Sequence, residues 1–175
     1  MRVDPDLGEM AVHVLDGFRA ARLKIATAES CTGGLIAALL TSVAGSSDVF
    51  ERGFVTYSNE SKEQEIGVDP QLLREHGAVS APVAVAMAIG ALERSLADAS
   101  VSVTGIAGPG GGSPEKPVGL VFIAVANRLE EGAFVEEFRF GDTGRDEIRN
   151  ETSKMALEML LAYGIESNDG DVNHN

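Results

Sequence analysis

Tryptophan is absent from this 175-residue chain and all aromatics together make up 5% of it, so the stacked-ring platforms that bind single-stranded nucleic acid have little to be built from. Basic residues are outnumbered as well. The chain carries 14 Lys and Arg against 27 Asp and Glu, a formal net charge of -13, which provides no basic stripe for a polynucleotide backbone. No nucleic-acid partner is expected. The acidity serves solubility, and a small anionic ligand stays compatible with it, because a local cluster of backbone amides can hold a phosphate inside an acidic protein. The single cysteine, Cys31, excludes an internal disulfide framework. A leader of charged, apolar and small residues is missing, as is an apolar run of membrane-spanning length, so the expected address is the cytoplasm, with no membrane partner. No spacing of Cys, His and carboxylates suggests a metal, and no cofactor is expected.

What the chain does have is apolar substance: 44% hydrophobic residues over a length suited to one domain can bury a core without disulfides or metals. Residues 1–165 are expected to form that domain and the polar residues 166–175 a disordered tail. Residues 1–7 are expected to fray. Met10, Ala11, Val14, Leu15 and Phe18 then share one helical face. A β-prone run ends at Glu29-Ser30-Cys31-Thr32, where Gly33 and Gly34 open a second helical pattern through Leu35, Ile36, Leu39 and Leu40. A second strand contains Gly53-Phe-Val-Thr-Tyr57, and the polar segment after it begins a short helix with Lys62 in its first turns. Asp69-Pro70 starts another helix that stops at Gly77, and Ser80-Ala81-Pro82 opens an alanine-rich one. Ala99-Ser-Val-Ser-Val-Thr104 reads as a buried strand, residues 118–126 and 133–140 as a hairpin, and residues 145–163 as a closing helix.

This alternation predicts a three-layer α/β/α sandwich with a mixed, mostly parallel sheet. Ligands of such sheets sit beyond the carboxyl ends of the parallel strands. Two candidate loops leave strands at that end: the turn at residues 30–34, and Gly105-Ile-Ala-Gly-Pro-Gly-Gly-Gly-Ser-Pro114. If their strands are neighbours, the loops share a cleft.

Ser30 is the first candidate nucleophile, because a hydroxyl at a strand-to-helix turn lies beside the free N–H groups of the helix's first turn. It needs a base. Histidine is the usual choice, but His174 lies in the tail, His13 in an amphipathic helix, and His76 beside the helix stop at Gly77. Lysine is the other route: Lys62 can serve if burial pushes it toward its neutral form. Tyr57, five residues before Lys62, is placed to donate to the pair or orient it. The plainer readings are that Ser30 caps a helix and that Lys62 is a solvated charge. Cys31 is a competing nucleophile, since helix N-termini also lower thiol pKa values. The glycine-rich loop matches neither a P-loop nor a dinucleotide fingerprint. Its glycines still let backbone N–H groups approach a ligand, and Thr104 adds a hydroxyl.

Four ordered motifs, Thr27-Ala-Glu-Ser-Cys-Thr-Gly-Gly34, Phe54-Val-Thr-Tyr-Ser-Asn59 with Lys62, Gly77-Ala-Val-Ser80 and Thr104-Gly-Ile-Ala-Gly-Pro-Gly-Gly111, resemble the CinA C-terminal domain family, the nicotinamide-nucleotide amidohydrolases. The likeness covers about residues 8–163 and is expected to reflect the stand-alone form. It implies hydrolysis of nicotinamide mononucleotide to nicotinic acid mononucleotide and ammonia, with a nucleotide as the small-molecule partner. The expected assembly is a homo-oligomer, a dimer being favoured. The resemblance places a serine-lysine dyad on Ser30 and Lys62 with Tyr57 as a participant. It makes Thr32, Gly33, Gly34, Thr104, Gly105, Ala107, Gly108 and Gly110 the substrate cradle. Arg145 and Arg149, at the opening of the last helix, are further candidates to contact an anion. One departure concerns Arg145: the family commonly has Gly-Asp-Arg contiguous, whereas Thr143-Gly144 here separates Gly141-Asp142 from Arg145. Two alternatives stay open, a nucleotide-binding regulatory module without catalysis and a serine amidase for another small amide.

Overall fold

Strand and helix signals translate into eleven elements in the computed structural model, which describes residues 4–165. In chain order they are α1 (Asp6–Ala21), β1 (Ile25–Glu29), α2 (Leu35–Thr41), β2 (Phe50–Val55), α3 (Asn59–Ile66), α4 (Pro70–His76), α5 (Ala81–Glu93), β3 (Ala99–Gly105), β4 (Leu120–Asn127), β5 (Phe134–Arg139) and α6 (Arg145–Tyr163), with a 3-10 turn at Ser46–Asp48 before β2. Of the expected fray over residues 1–7, residues 1–3 lie outside the described residues, and α1 already begins at Asp6, because Leu7 is buried and anchors the first turn. The expected disordered tail, residues 166–175, lies outside the described residues.

The five strands form one sheet in the order β2-β1-β3-β4-β5. β1 pairs parallel with β2 and with β3, whereas β3–β4 and β4–β5 are antiparallel. Four strands therefore run one way and β4 alone runs against them, the mixed and mostly parallel sheet that the alternation predicts. β1 and β3 are neighbours, with Glu29 opposite Val103, so the two candidate loops do leave the sheet side by side.

Pleating decides the two faces. Ala99, Val101 and Val103 of β3 point with Val121, Ile123 and Val125 of β4 into a core shared with Val14, Phe18, Ile36 and Leu157 of α1, α2 and α6. On the other face β3 presents Ser100, Ser102 and Thr104, all buried. Their hydroxyls donate to the carbonyls of Ala88 at 2.7 Å, Ala84 at 2.6 Å and Ala78 at 2.7 Å. Small side chains on α5 let it approach closely enough for the first two of those bonds, and Ala78 lies in the segment just before it. α3 and α4 complete this layer against α5 through Ile66, Val68, Leu73, Val83 and Met87.

Candidate active site

The site begins where β1 ends. β1 is buried along its whole length, and the N–H of Ser30 extends its ladder by donating to Val103 O at 3.0 Å. The chain then turns, closed by Gly33 N–H on Ser30 O at 3.0 Å. Gly33 at φ 60° and Gly34 at φ 94° occupy the left-handed region, where side chains are disfavoured. The Glu29 carboxylate lies behind this turn. One oxygen accepts from the Thr32 hydroxyl at 2.6 Å and from the N–H groups of Gly34 and Ile36 at 3.0 Å each. The other accepts from Ala37 N–H at 2.8 Å.

Lys62 arrives from the opposite side. β2 delivers the chain to Thr56, whose N–H donates to Glu29 O at 2.9 Å. α3 then starts on a reciprocal cap, with Ser61 N–H on the Ser58 hydroxyl at 3.0 Å and Ser58 N–H on the Ser61 hydroxyl at 3.1 Å. This start aims Lys62 inward, where it is 1% exposed. Its Nζ lies 3.1 Å from Ser30 Oγ, 2.8 Å from Thr56 O and 3.5 Å from Ser58 O. Among the described residues no carboxylate makes an ion pair with it. Burial disfavours the charged form and holds the Lys62 pKa below the ordinary lysine value. Burial acts the other way on the neighbouring thiol: Cys31 is pushed up to about 12, so it is no thiolate at neutral pH and the cysteine alternative loses its chemical basis.

A cleft of about 290 Å³ opens in front of this pair, between Tyr57, the 78–79 segment and the glycine-rich loop. Gly105, Ala107, Gly108, Gly110 and Arg145 line it with Ser30, Lys62 and Thr104. Arg145 reaches it despite the altered spacing, because α6 starts at the cleft. One guanidinium nitrogen donates to Gly108 O at 2.8 Å and another to the Tyr57 hydroxyl at 2.8 Å. A larger hollow of about 710 Å³ beside the start of α6 is lined by neither Ser30 nor Lys62, so the smaller cleft is the candidate site.

Three expected site features stand differently in the structure. Tyr57 stands in the cleft, but its hydroxyl is engaged by Arg145 rather than by Ser30 or Lys62. The hydrogen of the Thr104 hydroxyl is committed to Ala78 O. Thr32, Gly33 and Gly34 are not among the lining residues, and the Gly34 N–H, expected to face a ligand, is turned to Glu29. One group had no assigned role in the sequence: Glu29 itself, whose apolar-looking strand position conceals a carboxylate. Arg149, expected to contact an anion, donates its guanidinium to Thr32 O at 2.6 Å. Asn59, Val79 and Ile106 also line the cleft, and all three fall inside motifs quoted above. His13 and His76 are exposed. Among the described residues no group of His, Cys, Asp and Glu is arranged to hold a metal ion, and no helix is long and apolar enough to cross a membrane.

Comparison with known proteins gives the same family as the motifs. The CinA C-terminal domain matches residues 8–163. The nicotinamide-nucleotide amidohydrolase PncC of Escherichia coli K12 is 51% identical over 157 residues, which cover 90% of this chain and 94% of that protein. A CinA-like protein of Chlorobaculum tepidum is 56% identical over 159 residues, covering 89% of this chain and 36% of that longer protein. Among solved structures, the competence/damage inducible protein CihA of Agrobacterium tumefaciens superposes with a TM-score of 0.89 at 52% identity, covering 93% of this chain and 98% of that one.

Proposed function

The chain belongs to the CinA C-terminal domain family, and from that premise we propose that it hydrolyses the carboxamide of nicotinamide mononucleotide, giving nicotinic acid mononucleotide and ammonia through a Ser30 acyl-enzyme with Lys62 as base. The name and close coverage of the E. coli relative support the substrate. The observation that carries the mechanism is the buried Lys62 amine, without a carboxylate partner, 3.1 Å from Ser30 Oγ.

A neutral amine has two hydrogens and one lone pair. With Thr56 O and Ser58 O on the hydrogen side, the lone pair faces the Ser30 hydroxyl and accepts its proton as Oγ attacks the carboxamide carbon. The negative charge that develops on the carboxamide oxygen is held by the N–H of Cys31, which follows Ser30, lines the cleft and is not engaged by Glu29. Losing one such donor typically costs about a hundredfold or more in rate. The Lys62 ammonium returns its proton to the departing nitrogen, the C–N bond breaks, and ammonia leaves. Water then adds to the ester, its proton passing to Lys62, and Ser30 recovers its proton as the carboxylate departs. The backbone around Gly105, Ala107, Gly108 and Gly110, with Arg145 at the mouth, forms the nucleotide cradle.

Ammonia release from nicotinamide mononucleotide tests this. Wild-type protein is expected to turn over, while Ser30→Ala and Lys62→Ala lose activity and keep their circular dichroism. Calorimetric binding of the nucleotide without ammonia release would instead identify a non-catalytic binding module. Turnover confined to other small amides would reassign the substrate.

A further inference from the structure

The most heavily hydrogen-bonded side chain of the site is one that no step of the mechanism uses. Glu29 is fully buried, and its carboxylate gathers the four donors described above, three amides at the start of α2 and the Thr32 hydroxyl. Glu29 stands immediately before the turn that carries Ser30, and its donors follow at residues 32 to 37. Arg149 holds the same turn from another direction through Thr32 O.

We propose that Glu29 is a positioning residue for the Ser30 nucleophile: by filling the start of α2 with the protein's own carboxylate, it locks the turn and leaves the N–H of Cys31, which lines the cleft, for the developing oxyanion. The assignment rests on the reading of Ser30 as nucleophile. Two physical consequences of the geometry support it. A helix start left open would offer its amides to water or substrate; here Gly34, Ile36 and Ala37 have nothing left to give, so charge on the substrate is directed to the amide next to Ser30. A buried carboxylate is also tolerated only while its donors stay in place. Any drift of residues 32–37 would strand it, so the turn is held in one conformation, and Ser30 with it. The acid contributes stiffness where a strand-to-helix turn would otherwise be free to breathe.

The test uses the full chain and two independent changes. Glu29→Gln keeps the shape but sets an NH2 group against amide donors. Thr32→Val removes one donor and leaves the carboxylate, and Thr32→Ser restores the hydroxyl. Each is assayed for ammonia release from nicotinamide mononucleotide, for calorimetric binding of nicotinic acid mononucleotide, and for phosphonylation of Ser30 by a fluorophosphonate, read by intact mass. Misplacement by about 1 Å can cost about a hundredfold, so kcat of Glu29→Gln is expected to fall about ten- to a hundredfold, with phosphonylation slowed in parallel. KM and product affinity should stay within about twofold, the mark of an interaction felt in the transition state. Thr32→Val should show the same split, and Thr32→Ser should recover.

Wild-type kcat and phosphonylation in folded Glu29→Gln and Thr32→Val would overturn the proposal, as would affinity falling in step with kcat. If Glu29→Gln does not fold, the Thr32 pair decides alone. Wild-type protein that takes the phosphonate on Ser30 yet releases no ammonia sinks the substrate assignment only, and the phosphonylation rates still judge Glu29. Failure of the wild type to react at Ser30 overturns the nucleophile and its positioning together.

Discussion

A buried amine with two carbonyl neighbours and no anionic partner changes its charge more readily than a surface lysine. The sign of the effect is fixed by the direction of the shift. Between its lowered native value and the ordinary 10.5 of lysine, the unfolded chain holds a proton on Lys62 that the native chain does not. Native stability therefore gains as pH rises through that window, and the burial penalty is fully present below it. Two outcomes follow from the one group. kcat/KM should climb with pH as Lys62 deprotonates, with its half-point below 10.5; a half-point at the ordinary value would contradict the base assignment. Denaturant midpoints of wild type and Lys62→Met, measured from about pH 6 to about pH 10, should shift relative to one another in favour of the wild type as pH rises. The residue scale is also where the sequence is hardest to read. Lys62 stands among Ser58, Glu60, Glu63 and Glu65, company that reads as solvated, and only its position one turn past the Ser58 cap turns it inward. Glu29 is hidden for the converse reason: five buried positions in β1 look like core, and nothing local announces that the carboxylate's partners lie three to eight residues ahead.

Elements are far more legible, because their stops and starts are chemical. Asp69-Pro70, Gly77 and the Ser58 cap each sit at a helix boundary of the structure, and the last helix spans 145–163 as its composition predicts. What the sequence does not convey is how tightly elements cross. Gly90 lies inside α5, and a Cβ there would run into the carbonyl oxygen of Ile66 at the end of α3. Replacing a helical glycine by alanine ordinarily gains up to about 1 kcal/mol in propensity. Overpacking against a backbone group costs about 1–3 kcal/mol, so the clash should win. Gly90→Ala is expected to lower the melting temperature. It should also reduce kcat, because α3 carries Lys62 and can only relieve the clash by moving. A variant as stable and active as wild type would show that the crossing tolerates more space than it displays.

At the scale of the whole molecule, the cleft is assembled from segments far apart in sequence: the end of β1, the start of α3, the loop after β3, and the start of α6. The parallel arrangement of β2, β1 and β3 explains why the first three converge. Arg145 brings the last to them by joining Tyr57 to Gly108, a meeting that no spacing along the chain foretells. Its exposure makes the joint worth little to stability. Arg145→Ala should accordingly leave the melting temperature within about a degree or two while raising KM more than it lowers kcat, and Arg145→Lys, a single point charge, should not restore a contact that needs two arms. A change confined to kcat would remove Arg145 from the binding surface.

The reversed direction of β4 has an effect that reaches past stability. Because the chain must come back down after β3, residues 106–119 hang over the cleft as a flap whose root is stitched shut, Ile106 N–H to Leu120 O at 2.9 Å and Gly119 N–H to Ile106 O at 2.8 Å. Everything beyond that seam can be trimmed, extended or recut without loosening the strands that hold Ser30 and the approach to Lys62. Selectivity for one amide over another thus has a part of the architecture to itself, open to redesign while the reacting pair stays where it is.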